Sequence, residues 1–448
     1  ARTARALGAR VAFTDPGPLG GLCILRGCMP SKTVIASSDR AQAVREAARL
    51  GIASSPPRAD LPFIHARKQR IIGGFAAHRV DELQTFDIFQ GAAHFESPRR
   101  LRVGEQVLEA PAFVVATGSV TAPAVLPGLA QTGYLDSDAV LELDALPESV
   151  IVLGGGYVAC ELGQYLHRLG ARTTMLMRAP HVLSGEDDDV GDALTAALRA
   201  DGLDVRTGIR FERAERGKGG KAVVYVRNGA LERLEADELF FALGRVPNVA
   251  GLALEAAGVR YHAMTGIEVG PDLRSSQPAI FAVGDVTGEF PLVHVAIYQG
   301  AIAARNAILG TSERADYTLQ QSHAVFTDPQ VAIAGATEKQ LARDGIDYRA
   351  ASYPFSEHGK AIAIDRTAGF VKLLASPADG RILGAAVVGA EGSDLIHEAI
   401  VAINYRATVG EFAKIPHLHP TLAEIWTYPA EELAERLGES AAPAAAAM

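Results

Sequence analysis

The spacing of apolar and polar positions changes several times along this chain, and each change marks an element or a boundary. Ala4, Leu7 and Ala9 fall on one face of a short helix with Gly8 near its end, and residues 11–15 read as a buried strand that closes on Asp15. A Gly/Pro-rich stretch over 16–33 follows, and then 3.6-residue periodicity predicts helices within 38–50 and 66–83. Short strands are expected at 91–95, 101–107 and 113–116, with a Pro-dotted linker at 122–127. From Ser149 the pattern restarts as strand, glycine turn, helix and strand. It resumes at 279–283 with another strand, then Gly284-Asp285 and a helix over 296–309. Between 320 and 438, strands (332–334, 370–374, 382–388) alternate with helices (338–344, 393–404), and the Ala/Pro-rich tail 439–448 reads as disordered.

These elements imply an α/β protein with two Rossmann-like, three-layer units followed by an α+β domain. The first unit spans 1–148 and 272–315, the second spans 149–271 as an insertion, and the third spans 320–438. The opening helix, strand and terminal acid form the second half of a dinucleotide-binding βαβ unit whose first strand and glycine turn do not precede them.

Composition narrows the class. At roughly 100–200 residues per domain, 448 residues suit two to four domains, and 48% hydrophobic with 21% charged residues is an ordinary globular balance. A net charge of −9 leaves no basic surplus for nucleic acid, and no apolar run approaches the ~18 residues of a membrane span. Three cysteines cannot build a secreted disulfide framework, and no signal peptide opens the chain, so a cytoplasmic location is expected.

Three segments carry chemistry. Cys23 and Cys28 lie in Gly20-Gly21-Leu22-Cys23-Ile24-Leu25-Arg26-Gly27-Cys28-Met29-Pro30-Ser31-Lys32. Cα atoms five residues apart on an ideal helix are roughly 8.7 Å from each other, beyond the ~7 Å that a disulfide tolerates. Joining the pair requires a distorted helix start, for which Gly20, Gly21 and Gly27 give freedom; the other readings are two buried thiols or half a zinc site. No metal site is expected, because Cys160 stands alone.

The second segment, Gly154-Gly155-Gly156-Tyr157-Val158-Ala159, follows an apolar strand and opens a helix, and a second strand arrives about 20 residues later, a context that places a pyrophosphate on the helix N-terminus. Arg178, after that second strand, suits a 2′-phosphate or is a solvated loop residue; the acidic run 186–189 reads as a solvated helix start. In the third segment, His417-Leu418-His419-Pro420-Thr421-Leu422-Ala423-Glu424, Pro420 suits a first helical turn with Glu424 one turn inside. Glu424 would then orient His419 as an acid/base, although such a pair can equally be structural; the other ten histidines read as ordinary.

Together these residues resemble the pyridine nucleotide-disulfide oxidoreductases, with dihydrolipoamide dehydrogenase, glutathione reductase and mercuric reductase among them. The resemblance runs over nearly the whole chain, through Ala116-Thr117-Gly118, Gly244-Arg245-Val246-Pro247-Asn248, the run 280–285 and the run 326–330. It implies FAD and NADP or NAD as cofactors and a redox-active Cys23–Cys28 pair, with Cys28 on the flavin side and Cys23 exchanging with substrate. His419 would act as acid/base, oriented by Glu424. Lys32 and Glu161 match a pair near the flavin's reactive nitrogen, and Tyr157 matches the ring that gates the nicotinamide. Asp15, Ala93, Thr117, Gly118, Asp285 and Val293 match FAD contacts; Gly154, Gly156, Tyr157, Val158, Ala159, Arg178 and Gly244 match nucleotide contacts. The resemblance further implies a homodimer whose active site is shared between subunits, with a small disulfide or dithiol as substrate. Ser31 and Ala301 depart from glutathione reductases, and mercuric reductases lack the His-Pro motif; Pro30-Ser31-Lys32 and Leu292-Val293-His294 are most similar to dihydrolipoamide dehydrogenases. A glutathione- or mercuric-reductase-like NADPH enzyme is one alternative; because the first glycine turn does not precede the opening helix, a flavin-free, inactive dimeric scaffold is another, set against a piece of an ordinary enzyme of this family.

Overall fold

The computed structural model describes residues 1–318 and 321–438, so the expected disordered tail at 439–448 lies outside the described residues. Contacts divide the chain into two compact units.

One unit comprises Ala1–Thr33, His65–Pro123 and the described part of 244–320. The strand Ala12–Asp15 pairs in parallel with Asp87–Gln90, and Phe113–Val115 pairs in parallel with Ile280–Ala282. Among the described residues these remain separate two-stranded sheets rather than one continuous layer. The single strand expected at 101–107 is instead a hairpin, Arg100–Val103 and Gln106–Glu109, because Gly104 takes φ +57° and turns the chain. Residues 244–271, expected in the inserted unit, pack here. Arg245–Pro247 pairs with Ser119–Thr121, and Val249, Leu254, Val259 and Ile267 share a core with Phe95, Val115 and Ile280.

The other unit comprises Val34–Ile64, Ala124–Leu243 and the described residues from 321 onward. Its parallel sheet runs Asp204–Arg206, Arg172–Leu176, Ser149–Leu153, Glu238–Phe241, and the helix Tyr157–Leu169 connects its two inner strands, Ser149–Leu153 and Arg172–Leu176. An antiparallel five-stranded sheet runs His323–Val325, Gln330–Gly335, Ile382–Gly389, Phe370–Ala375, Arg349–Pro354. One apolar cluster extends through both sheets and includes Val34, Val152, Leu166, Val190, Val331 and Val388, so the stretches read as separate domains share a core.

Two cations organise the polar part of this unit. Arg168, 3% exposed, donates to Asp201 (2.7 Å), Asp39 (2.9 Å) and Asp328 (3.0 Å), a full use of its planar fork. Lys372, equally buried, donates to Asp187 (2.9 Å), Asp189 (2.8 Å) and Glu338 (2.6 Å). Burial alone would lower the Lys372 pKa, but the hydrogen-bonded carboxylates outweigh it and hold the group above the ordinary lysine range. The acidic run 186–189 is a solvated helix start only in its second half: Asp188 and Asp189 are exposed and open the helix Asp188–Ala200. Glu186 and Asp187 are buried, Asp187 as a counter-charge of Lys372 where water is excluded. The three carboxylates around Lys372 are spaced as a cation site would be, and the cation they hold is its ammonium.

Replacing Lys372 with Met is expected to leave these acids without their counter-charge and to destabilise the unit by about 3–5 kcal/mol near neutral pH. Urea unfolding followed by circular dichroism should show the loss, with part of it recovered as acidification protonates the carboxylates. An unchanged midpoint would remove Lys372 as an organising group.

Candidate functional site

The two cysteines sit where the helix is broken, as their spacing requires. Cys23 lies in the short helix Leu22–Leu25, Arg26 leaves helical geometry at φ −141°, and Cys28 opens the helix Cys28–Glu46. Gly27 makes the return possible: a Cβ there would stand 3.1 Å from the Leu22 carbonyl oxygen and 3.2 Å from Cys23 Cα. Both residues are free thiols and half-buried. The Cys28 sulfur, through a hydrogen bond from Cys23, and then burial push the Cys23 thiol up, while the charge of Lys32 works against them. Lys32 lies one helical turn after Cys28 and so on the same face.

The residues matched to FAD contacts lie at strand and helix ends of the first unit. The Asp15 carboxylate accepts the Gly17 N–H at 2.7 Å where its strand closes. Thr117 Oγ1 donates to the Asn248 carbonyl at 2.6 Å, and Gly118 follows at φ +72°. Asp285 Oδ2 accepts from Ser119 Oγ at 2.7 Å, and Arg245 steadies that serine at 3.0 Å. Val293 opens the helix Val293–Leu309, and Ala93 opens the strand Ala93–Ser97. The half-buried Asp285 carboxylate can accept a polyol hydroxyl and Asp15 a ribose hydroxyl, so these residues fit the two ends of FAD.

The glycine turn of the second unit fits a pyrophosphate closely. A Cβ on Gly154 (φ +126°) would lie 2.4 Å from the Ala242 carbonyl, whereas one on Gly156 would meet nothing within 4 Å. Gly154 thus makes the tight turn, and Gly156 leaves open space over the first amides of Tyr157–Leu169, which have no intrahelical acceptor. Val158 is exposed, and Ala159 is buried where the helix meets its sheet. Arg178 is exposed just past Arg172–Leu176, and Gly244 (φ +122°) begins the return to the other unit. Glu161 is buried and accepts the Phe326 N–H at 2.9 Å.

Tyr157 is tethered. Its hydroxyl donates to Glu186 at 2.6 Å, and Glu186 Oε1 also lies 3.1 Å from His323 Nε2. Burial and then the Glu186 charge push the tyrosine pKa up. Burial would also lower His323, but Glu186 reverses this and holds it above the ordinary histidine range.

His419 and Glu424 come together, with Nδ1 and Oε1 2.9 Å apart. The local structure differs from expectation: Pro420 is not in a helix, and Glu424 lies in the 3-10 turn Ala423–Trp426, which bends its carboxylate back to the ring. The imidazole is 79% exposed, so its other nitrogen is accessible. Two histidines read as ordinary also have carboxylate partners, His323 with Glu186 (3.1 Å) and His181 with Asp188 (3.0 Å), and so does His417 of the motif, with Glu398 (2.7 Å). The hydrogen bond to Glu398 raises His417 above the ordinary range. Their signal was available in part: His323 and Lys372 each stand in an otherwise apolar strand, where an ionisable side chain needs a partner.

Residues 1–300 match the family described as pyridine nucleotide-disulphide oxidoreductase, and residues 322–430 match the dimerisation domain of the same family. A dihydrolipoyl dehydrogenase of Geobacillus stearothermophilus is 34% identical over 94% of this chain and 90% of its own length. A mercuric reductase of Bacillus cereus is 31% identical over 94% of this chain and 67% of its own. Among solved structures, LpdA from Mycobacterium tuberculosis superposes with a TM-score of 0.84 at 27% identity, covering 96% of this chain and 95% of that one. The HOCl-induced flavoprotein disulfide reductase RclA from Escherichia coli, as its Cu(II) complex, gives 0.82 at 25% identity over 95% of each chain. Apposed thiols, a nucleotide-binding glycine turn and a dimerisation domain thus occur together in one chain, which belongs to the FAD-dependent, NAD(P)H-using pyridine nucleotide-disulphide oxidoreductases.

Proposed function

We propose that this chain interconverts a small disulfide of the dihydrolipoamide type and its dithiol, preferring NADPH, through Cys23 and Cys28. The observation that carries this reading is the apposition of the two thiols across the break at Gly27. FAD, when bound, supplies the two-electron chemistry that links hydride to thiol. The Cys23 thiolate attacks one sulfur of the substrate disulfide, forming a mixed disulfide and releasing one substrate thiolate. The Cys28 thiolate then attacks Cys23 Sγ, releasing the second and leaving Cys23–Cys28 oxidised, so two electrons pass from the dithiol to the substrate. His419, with Nδ1 held by Glu424, presents Nε2 to protonate the departing thiolates. In the homodimer this pair serves the cysteines of a second copy. Lys32 places positive charge by the cysteine pair, which favours thiolate. The nucleotide pyrophosphate sits on the Gly154–Gly156 turn, and Arg178 pairs with a 2′-phosphate. Asp15 and Asp285 hold the ends of FAD. Dithiol chemistry of this kind suits a reducing cytoplasm. Among the described residues no helix is long and apolar enough to cross a membrane.

Cys23→Ser is expected to abolish disulfide reduction while NADPH still bleaches the flavin absorbance in an anaerobic spectrum. Loss of bleaching as well would overturn the assigned division of labour. Arg178→Glu is expected to move the ratio of kcat/KM for NADPH over NADH towards NADH by about 10–100-fold, as loss of a charge-assisted contact implies. Steady-state kinetics with both nucleotides measure it, and an unchanged ratio removes Arg178 as the selector.

A further inference from the structure

Tyr157 is the first residue of the helix that follows the glycine turn, and its side chain is held by two groups distant in sequence. Its hydroxyl donates to Glu186 Oε1 at 2.6 Å. Its ring meets the His323 ring edge-on, with centroids 5.6 Å apart and planes at 66°. His323 in turn lies between two oxygens: Nδ1 is 2.9 Å from the Gln321 carbonyl, and Nε2 is 3.1 Å from Glu186 Oε1. Neither oxygen can donate, since one is a carbonyl and the other belongs to a carboxylate that already accepts from tyrosine. With Glu186 held ionised by His323 and Tyr157 against its burial, both ring nitrogens face acceptors, an arrangement that an imidazolium satisfies. A neutral ring would point a lone pair at one of these oxygens.

We propose that Glu186 and the His323 imidazolium form a clamp that positions the Tyr157 ring and sets the free-energy cost of displacing it when nucleotide enters over the glycine turn. Glu186 and His323 are positioning residues, acting through Tyr157. The inference rests on the reading of Tyr157 as the ring that gates the nicotinamide. To move aside, the ring must give up a hydrogen bond to a buried carboxylate and an aromatic edge contact, both of which oppose binding.

The clamp titrates with a defined sign. Among the described residues, Glu186 is the charged group that acts on both rings. Glu186 itself feels His323 and the adjacent Asp187, whose carboxylate is held by Lys372 at 2.9 Å. Because Glu186 raises the affinity of His323 for its proton, the imidazolium persists to higher pH than that of an ordinary histidine and is lost as pH rises through that elevated range. Tyr157 is pushed upward as well, so its hydroxyl still donates there. Below that range both holds act on Tyr157; above it the imidazolium charge is lost and the Tyr157–Glu186 hydrogen bond remains.

The test is calorimetric titration of the full chain with NADP+ at about pH 6 and about pH 9.5, on either side of the histidine transition. Wild type, Glu186→Gln, His323→Gln and Tyr157→Ala are compared, each Kd being referred to Tyr157→Ala at the same pH so that titration of the nucleotide phosphate cancels. His323→Gln is expected to bind NADP+ at least about fivefold more tightly than wild type at the lower pH, as release of one charge-assisted bond implies, and to match it at the higher, whereas Glu186→Gln, which weakens the hydrogen bond that remains in alkali, is expected to bind more tightly at both. If Tyr157→Ala changes Kd but both clamp variants equal wild type at each pH, the clamp is overturned and the gate stands. If Tyr157→Ala also leaves Kd unchanged, the gate reading falls and the clamp with it. An equal gain for His323→Gln at both pH values overturns the role of the imidazolium.

Discussion

A buried ammonium cannot remain in an apolar sheet unless carboxylates come to meet it, and Lys372 imposes that condition on a large part of this chain. It stands in the strand Phe370–Ala375 between Val371 and Leu373, both fully buried. Its three acids come from the turn before Asp188–Ala200, the first turn of that helix, and the first turn of Glu338–Asp344. One charge therefore fixes where the nucleotide-binding sheet's second helix begins and where the antiparallel sheet's connecting helix begins. Asp187 does more than pair with it: its carboxylate also accepts the N–H groups of Glu338 and Lys339 at that helix N-terminus. Removing Lys372 leaves the buried Asp187 charge without its counter-ion, which is why such pairs cost far more to break than they contribute when intact.

The same arrangement connects structure to chemistry. Glu186 immediately precedes Asp187, so the anchoring of Asp187 by Lys372 also sets the backbone from which Glu186 reaches Tyr157 and His323. Tyr157 follows the open glycine turn directly. A charge pair in the interior and the ring that follows the glycine turn are thus linked through two adjacent residues, Asp187 and Glu186. The cysteine pair needs no such support. Its geometry comes from Gly27 and from the broken helix around it, a local device written into consecutive residues.

That contrast explains what was legible in the sequence. Elements with strong periodicity were placed closely; the helix Glu338–Asp344 was expected over the same residues, and the helix Val293–Leu309 was found three residues longer at its start. Motifs whose residues sit within a few positions of one another, such as Cys23 with Cys28 or His419 with Glu424, declared themselves because their partners are local. The Glu186–His323 contact spans 137 positions, and Lys372–Asp187 spans 185. Neither spacing has a period, so the acidic run read as solvent-facing and His323 as an ordinary histidine. The position of the boundary near 244 was hidden for a similar reason. It depends on Arg245–Pro247 finding Ser119–Thr121, an antiparallel pairing that a three-residue strand does not announce. The hairpin at Gly104 was missed because apolar residues continue on both sides of the turn.

The Arg168 fork has a consequence for how the molecule is made. Its partners Asp39, Asp201 and Asp328 come from the three separated stretches that compose one unit, and Asp328 lies 160 positions downstream. At about 5–20 residues per second, the ribosome delivers that aspartate roughly 8–32 seconds after the arginine. Until then the guanidinium lacks one of its counter-charges, and the apolar cluster lacks Val325, Val331 and Val388. The nucleotide-binding sheet can form its hydrogen bonds early in synthesis, but it cannot close its core until the final third of the chain has emerged. The growing polypeptide therefore carries a half-built apolar interior through that interval, when contact with other chains competes with its own completion.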